Sequence, residues 1–130
     1  MTSNADIVRS VTTALEQGDA FGVMAHVARD VVWTVHAQDT TAAPWFGVYR
    51  GKRAVIDLLA ALADIEFTSA DQSDLIADGD TVVTIARLIF DGPSGHHVET
   101  DEVQVWKLVD GKIVTVDVLL DTAAVAAGFR

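Results

Sequence analysis

Glu102 and Gln104 stand two residues apart in the alternating run His97 to Trp106. In an extended strand that spacing puts both on one face together with Trp106. A carboxyl and an amide on one apolar wall can do acid–base chemistry. Apolar surroundings push a carboxyl's pKa toward neutrality, which makes Glu102 a candidate base, while Gln104 can donate to a carbonyl and orient it. Each also has a plainer reading. Glu102 lies beside Asp101 and near Glu99, as in a solvated hairpin stem, and Gln104 can simply satisfy a buried backbone group. Asp121, a further candidate acid, closes the last apolar run and can equally cap a helical segment over 122–127. His96 and His97 sit in a Gly/Pro/Ser turn with no third ligand at fixed spacing, so no metal site is expected. His26 and His36 read as structural. Arg50, Lys52 and Arg53, the one basic cluster, read as a solvated helix start or as an attractor for an acidic substrate. Cysteine is absent, which excludes disulfides, thiolate metal sites and a cysteine nucleophile.

These side chains need elements to position them. The 130 residues make one domain. Helical spacing of Ile7, Val11, Ala14 and Leu15 predicts a helix over 4–17, stopped at Gly18. Asp19 caps a second helix over 19–28, and a third is expected over 52–63. A β-branched and aromatic run predicts a strand over 30–36, followed by a loop over 37–50. Four more strands follow at 66–76, 81–91, 97–109 and 112–121, joined at Asp-Gly turns into an antiparallel meander. The fold class is α+β, in the order α-α-β-α-β-β-β-β, with helices on one face of a curved sheet. Strand parity then puts Trp33, Val35, Thr84, Ala86, Leu88, Glu102, Gln104, Trp106, Val116, Val118 and Leu120 on the inner wall. Aromatic and aliphatic walls with few polar groups suit a small hydrophobic or aromatic ligand.

Charge and hydropathy narrow the partners. The formal net charge is -10, so nucleic acid and anionic lipid are not expected partners. No apolar run reaches the length of a membrane span, the N-terminus lacks the pattern of a signal peptide, and the cytoplasm is the expected compartment. Yet 50% of residues are hydrophobic and the mean hydropathy is +0.30. Residues 81–90 are apolar on both faces. The outer set, with Val83, Ile85, Ile89, Val103, Val105 and Leu119, predicts a homodimer packed through the outer sheet face.

Several words of the chain resemble the NTF2-like superfamily, and within it SnoaL-like and ketosteroid-isomerase-related proteins. They are Ala14-Leu15-Glu16-Gln17-Gly18-Asp19, Asp30-Val31-Val32-Trp33, Gly47-Val48-Tyr49-Arg50-Gly51-Lys52, Ala77-Asp78-Gly79-Asp80-Thr81-Val82, Val105-Trp106-Lys107-Leu108-Val109-Asp110-Gly111-Lys112-Ile113 and Asp121-Thr122-Ala123. The resemblance implies a cone, a curved sheet wrapped on three helices with a pocket at its open end. It also implies that the loop bearing Trp45, Phe46 and Tyr49 crosses the mouth. It does not carry over the catalytic residues. The positions that resemble the oxyanion tyrosine, the base and the second oxyanion donor of ketosteroid isomerases hold Val11, Val35 and Gln104. The Asp–Arg–Asp set of the superfamily's epoxide hydrolases also has no inward match, because Arg87 and Asp117 take the outward parity.

Three functions remain open on the sequence. One is a cofactor-independent isomerase, cyclase or hydrolase acting on a small hydrophobic metabolite, with Glu102, Gln104 and Asp121 as candidate catalytic groups. Its ligand contacts would be Trp33, Val35, Trp45, Phe46, Tyr49, Thr84, Trp106 and Val118. The second is a module that only binds such a molecule. The third is a dimeric interaction domain whose cavity its own side chains fill. A buried carboxyl with a raised pKa beside Gln104 favours the first.

Overall fold

The computed structural model describes residues 2–130. The helix α1 (Asn4–Glu16) starts at Ser3, whose hydroxyl accepts the Asp6 N–H. It ends where Gly18 takes φ +67°. The Gly18 N–H then bonds Leu15 O, and the Asp19 N–H bonds Ala14 O at 2.8 Å. Both bonds close orphan carbonyls of the last turn, and the left-handed residue they need carries no Cβ. Asp19 caps α2 (Ala20–Met24) by accepting the Gly22 N–H.

The second helix is shorter than the expected 19–28. β1 (Val27–Val35) already begins at Val27, which is fully buried and pairs with Ile113. A buried β-branched residue next to an available partner strand is worth more in the sheet than in another helical turn. The freed carbonyls of Met24 and Ala25 accept the ammonium groups of Lys52 and Lys112. Part of the expected loop 37–50 is also a strand, β2 (Gly47–Arg50), which pairs antiparallel with β1 at the sheet edge.

Next come α3 (Gly51–Ala63), β3 (Phe67–Asp78), β4 (Thr81–Asp91), β5 (His97–Val109), β6 (Lys112–Leu120) and α4 (Thr122–Ala127). The sheet order is β2-β1-β6-β5-β4-β3. All neighbours are antiparallel except β1 and β6, which the helical crossover and meander bring together in parallel. The architecture is the expected α+β cone, with the helices against one face of a curved, unclosed six-stranded sheet.

Two packing centres brace it. At one, the Trp33 and Trp106 rings meet edge to face at 5.4 Å. At the other, Trp45 meets Phe46, Phe90 and Phe129 with ring centroids 5.5–5.9 Å apart. The C-terminal turn reaches this second cluster because Gly92 and Gly128 approach closely. A Cβ on Gly92 would lie 1.7 Å from Gly128 O.

Candidate functional site

Three rows of paired residues cross the inner face of the sheet. The first joins Trp33, Val116, Trp106 and Val82. The second joins Val35, Val118, Gln104, Thr84 and Leu75, and the third joins Leu120, Glu102, Ala86 and Gln72. Above the last two rows lies a cavity of about 720 Å³, roofed by α3 and by the α1–α2 corner. Its wall is mostly aliphatic and aromatic, with Leu15, Val23, Trp33, Val35, Trp45, Leu58, Leu59, Leu62 and Val118. Glu102 and Gln104 are the polar groups that rise from the middle of the sheet, and Gln72 joins them from the edge strand β3, whose Thr68, Ser69 and Asp71 also line the cavity.

A chain of hydrogen bonds leads from the core to Glu102. Trp106 is fully buried, and its indole Nε1–H donates to Thr84 Oγ1 at 2.8 Å. An indole N–H can only donate, so the Thr84 oxygen must accept there and turn its own hydrogen elsewhere. That hydrogen goes to Gln104 Oε1. The amide is thereby oriented with its NH₂ group toward Glu102, and Nε2–H donates to Glu102 Oε1. The carboxyl is half-buried, and the space it meets is the cavity. Burial among apolar walls pushes its pKa up from 4.5 to about 7, and the Gln104 hydrogen bond offsets only part of that. At neutral pH the group is therefore divided between acid and base forms, as proton transfer requires.

The site residues inferred from sequence divide into two sets. Glu102, Gln104, Trp33, Val35, Trp45 and Val118 line the cavity. Thr84 and Trp106 do not, because both are fully buried and stand behind the wall as supports for Gln104. Of the two indoles expected from parity on the inner wall, Trp33 is thus on the cavity surface and Trp106 behind it. Phe46 is buried in the aromatic cluster rather than crossing the mouth. Tyr49 sits on the edge strand opposite Trp33, and its phenol is raised by burial and by the nearby Asp57. Asp121 is exposed and its carboxylate accepts the Ala124 N–H, so it caps α4 outside the cavity.

The outward parities hold. Arg87 pairs with Glu99 and Asp101 at 3.1 Å, and His36 Nε2 lies 2.8 Å from Asp117. His97 reaches Asp91 and Glu99, whose hydrogen bonds raise its pKa. No group of three or more metal-ligating side chains occurs among the described residues.

Gln72 is the cavity residue that the sequence conceals. Period two counted from Phe67 puts Asp71 and Ser73 inward and Gln72 outward. The pairing register instead slips between Phe67 and Ser69 and again between Gln72 and Asp74. Each bulge moves the following residues to the other face. No glycine or proline marks either one, and the Ser69 and Ser73-Asp74 that sit there do not by themselves distinguish a bulge from an ordinary exposed strand.

A family model described as a SnoaL-like domain matches residues 8–116. Among solved structures, an NTF2-like protein from Burkholderia xenovorans aligns over 100% of both chains at 24% identity, with a TM-score of 0.87. One from Burkholderia thailandensis aligns over 100% of this chain and 99% of its own at 26% identity, TM-score 0.88. TerC, crystallised with polyporic acid, aligns over 96% of each chain at 20% identity, TM-score 0.84. A comparison with curated proteins finds no match.

Burial of Glu102 has a signature in stability. Its pKa is higher in the folded chain than the unfolded value, so the folded state binds the extra proton. The associated stability is fully present below about pH 4.5 and is lost as pH rises through about 7. Urea unfolding at several pH values should show wild type losing roughly 3 kcal/mol relative to Glu102→Gln across that window. Parallel pH profiles for the two proteins would show that the carboxyl is solvated.

Proposed function

The chain belongs to the SnoaL-like domain family, and from that premise we propose that it is a cofactor-independent acid–base enzyme. Its substrate would be a small hydrophobic or aromatic carbonyl compound. One observation carries this reading. The Glu102 carboxyl stands in a largely apolar cavity with its pKa pushed to about 7, and Gln104 is held beside it by a fixed hydrogen-bond chain.

In the reaction Glu102, as carboxylate, takes a proton from a carbon next to the substrate carbonyl. The electron pair moves onto the carbonyl oxygen, and an enolate forms. Gln104 Nε2 carries two hydrogens, of which one is held by Glu102. The second can donate to the enolate oxygen. Glu102 then returns its proton at a second carbon, which completes an isomerisation. A cyclisation or dehydration would begin with the same proton abstraction. A structure described as a putative isomerase from Rhodopseudomonas palustris shares the fold at 16% identity, which supports the reading by analogy.

The outer sheet face supports a second part of the proposal, a homodimer. Val83, Ile85, Val103 and Val105 are only half-buried in the single chain, and Ile76 and Leu119 are 60% and 47% exposed. Together they make a contiguous apolar patch of the sort that a partner surface covers. A second copy offers the same patch across a two-fold axis.

Two measurements test these statements. The protein should speed exchange of the α-hydrogens of 2-tetralone in D₂O, with a rate that rises through about pH 7. Glu102→Gln should lose about a hundredfold or more of that rate. Exchange no faster than in buffer, or unchanged by the substitution, would remove Glu102 as the base. Light scattering at micromolar concentration should give twice 13.9 kDa, and a single-chain mass would remove the dimer.

A further inference from the structure

We propose that Gln72 is the second polar anchor of the cavity, standing across Ala86 from Glu102. The pair would select a ring with two oxygen substituents placed meta or para to each other. This rests on the reading of the cavity as the active site and specifies what enters it.

The placement follows from strand pairing. Gln72 is opposite Ala86 and Ala86 is opposite Glu102, so all three share one row and one face. Neighbouring strands lie about 4.8 Å apart, which puts the Gln72 and Glu102 backbones about 10 Å apart. Between them Ala86 contributes only a methyl group, and the row has a notch at its centre. All three residues line the cavity. Gln104 cannot serve as the distant anchor, because it stands on the same strand as Glu102, two residues away, and its amide is bonded to that carboxyl.

Gln72 is not so committed. Its Oε1 is buried with no hydrogen-bond partner. Side chains rarely leave a buried amide oxygen unpaired, and a bound group is one way to satisfy it. The terminal amide torsion is soft, so Gln72 can turn either its donor or its acceptor to a ligand. A hydroxyl, which both donates and accepts, complements it in either orientation.

Length sets the geometry. With about 2.8 Å for a hydrogen bond at each end, a row of about 10 Å leaves roughly 4–6 Å between the ligand's two polar atoms. That is the span of meta or para oxygens on a six-membered ring, whereas ortho oxygens lie too close together. The ring body would rest over Ala86. Leu15, Leu59 and Leu62 would then receive an apolar substituent.

The test is calorimetric titration with three probes of one shape: 5-propylresorcinol, 3-propylphenol and propylbenzene. Wild type should bind 5-propylresorcinol about tenfold or more tightly than 3-propylphenol. In Gln72→Leu that ratio should fall to about one, with the affinity for 3-propylphenol kept. Gln72→Met, which keeps the chain length, gives the same reading should the leucine variant not fold. A ratio that is unchanged in the variant overturns the anchor. So does tight binding of 3-propylphenol with no gain from the second hydroxyl, an outcome that leaves the active-site reading standing. No binding of any probe, by heat or by the fluorescence of Trp33 and Trp45, overturns both.

Discussion

A single donor-only group, the indole N–H of Trp106, sets the polarity of the cavity. It is buried where no water can accept from it, so it must find a protein acceptor, and Thr84 Oγ1 is that acceptor. From there every choice is forced. The Thr84 hydrogen faces Gln104 Oε1, the amide cannot flip without leaving that hydrogen unpaired, and its NH₂ group faces Glu102. The carboxyl thus keeps one oriented donor and loses its other solvation to apolar walls. A core contact and a site pKa are two ends of the same chain.

The rest of the fold maintains that arrangement. The Schellman stop at Gly18 and the short α2 turn the chain sharply, which lets the α1–α2 corner cover one side of the cavity. The aromatic cluster around Trp45 braces another side, and α4 is pinned there through Phe129. These elements hold the roof off the sheet. The cavity therefore stays open instead of being filled by its own side chains, which argues against a domain that serves only for assembly.

Much of this was legible in the sequence because it rests on strict periodicity. Alternation along residues 81–91, 97–107 and 115–120 separates Thr84, Gln104 and Val118 from Arg87 and Asp117, and it breaks only at the slip beyond Lys107, where Ile113 turns inward out of step with Val116. Periodicity does not report depth. Trp106 and Trp33 share a row and a face, yet one is behind the wall and the other on it, which depends on how the indoles stack. Nor does it report bulges. Two register slips in β3 hid Gln72, and the early start of β1 at Val27 was set by a partner strand some eighty residues away. Asp121 shows the opposite case. Its local role as a cap was readable beside the catalytic one, and the cap is the geometry found.

The proposed chemistry depends most on the state of one carboxyl. The chain has four glutamates, Glu16, Glu66, Glu99 and Glu102, and the first three are exposed. Carbon-13 NMR of side-chain-labelled glutamate, followed across pH, separates them directly. One resonance should titrate at about 7 and disappear in Glu102→Gln. If all four titrate near the ordinary glutamate value, the cavity holds no near-neutral acid–base group and the proposed chemistry is contradicted.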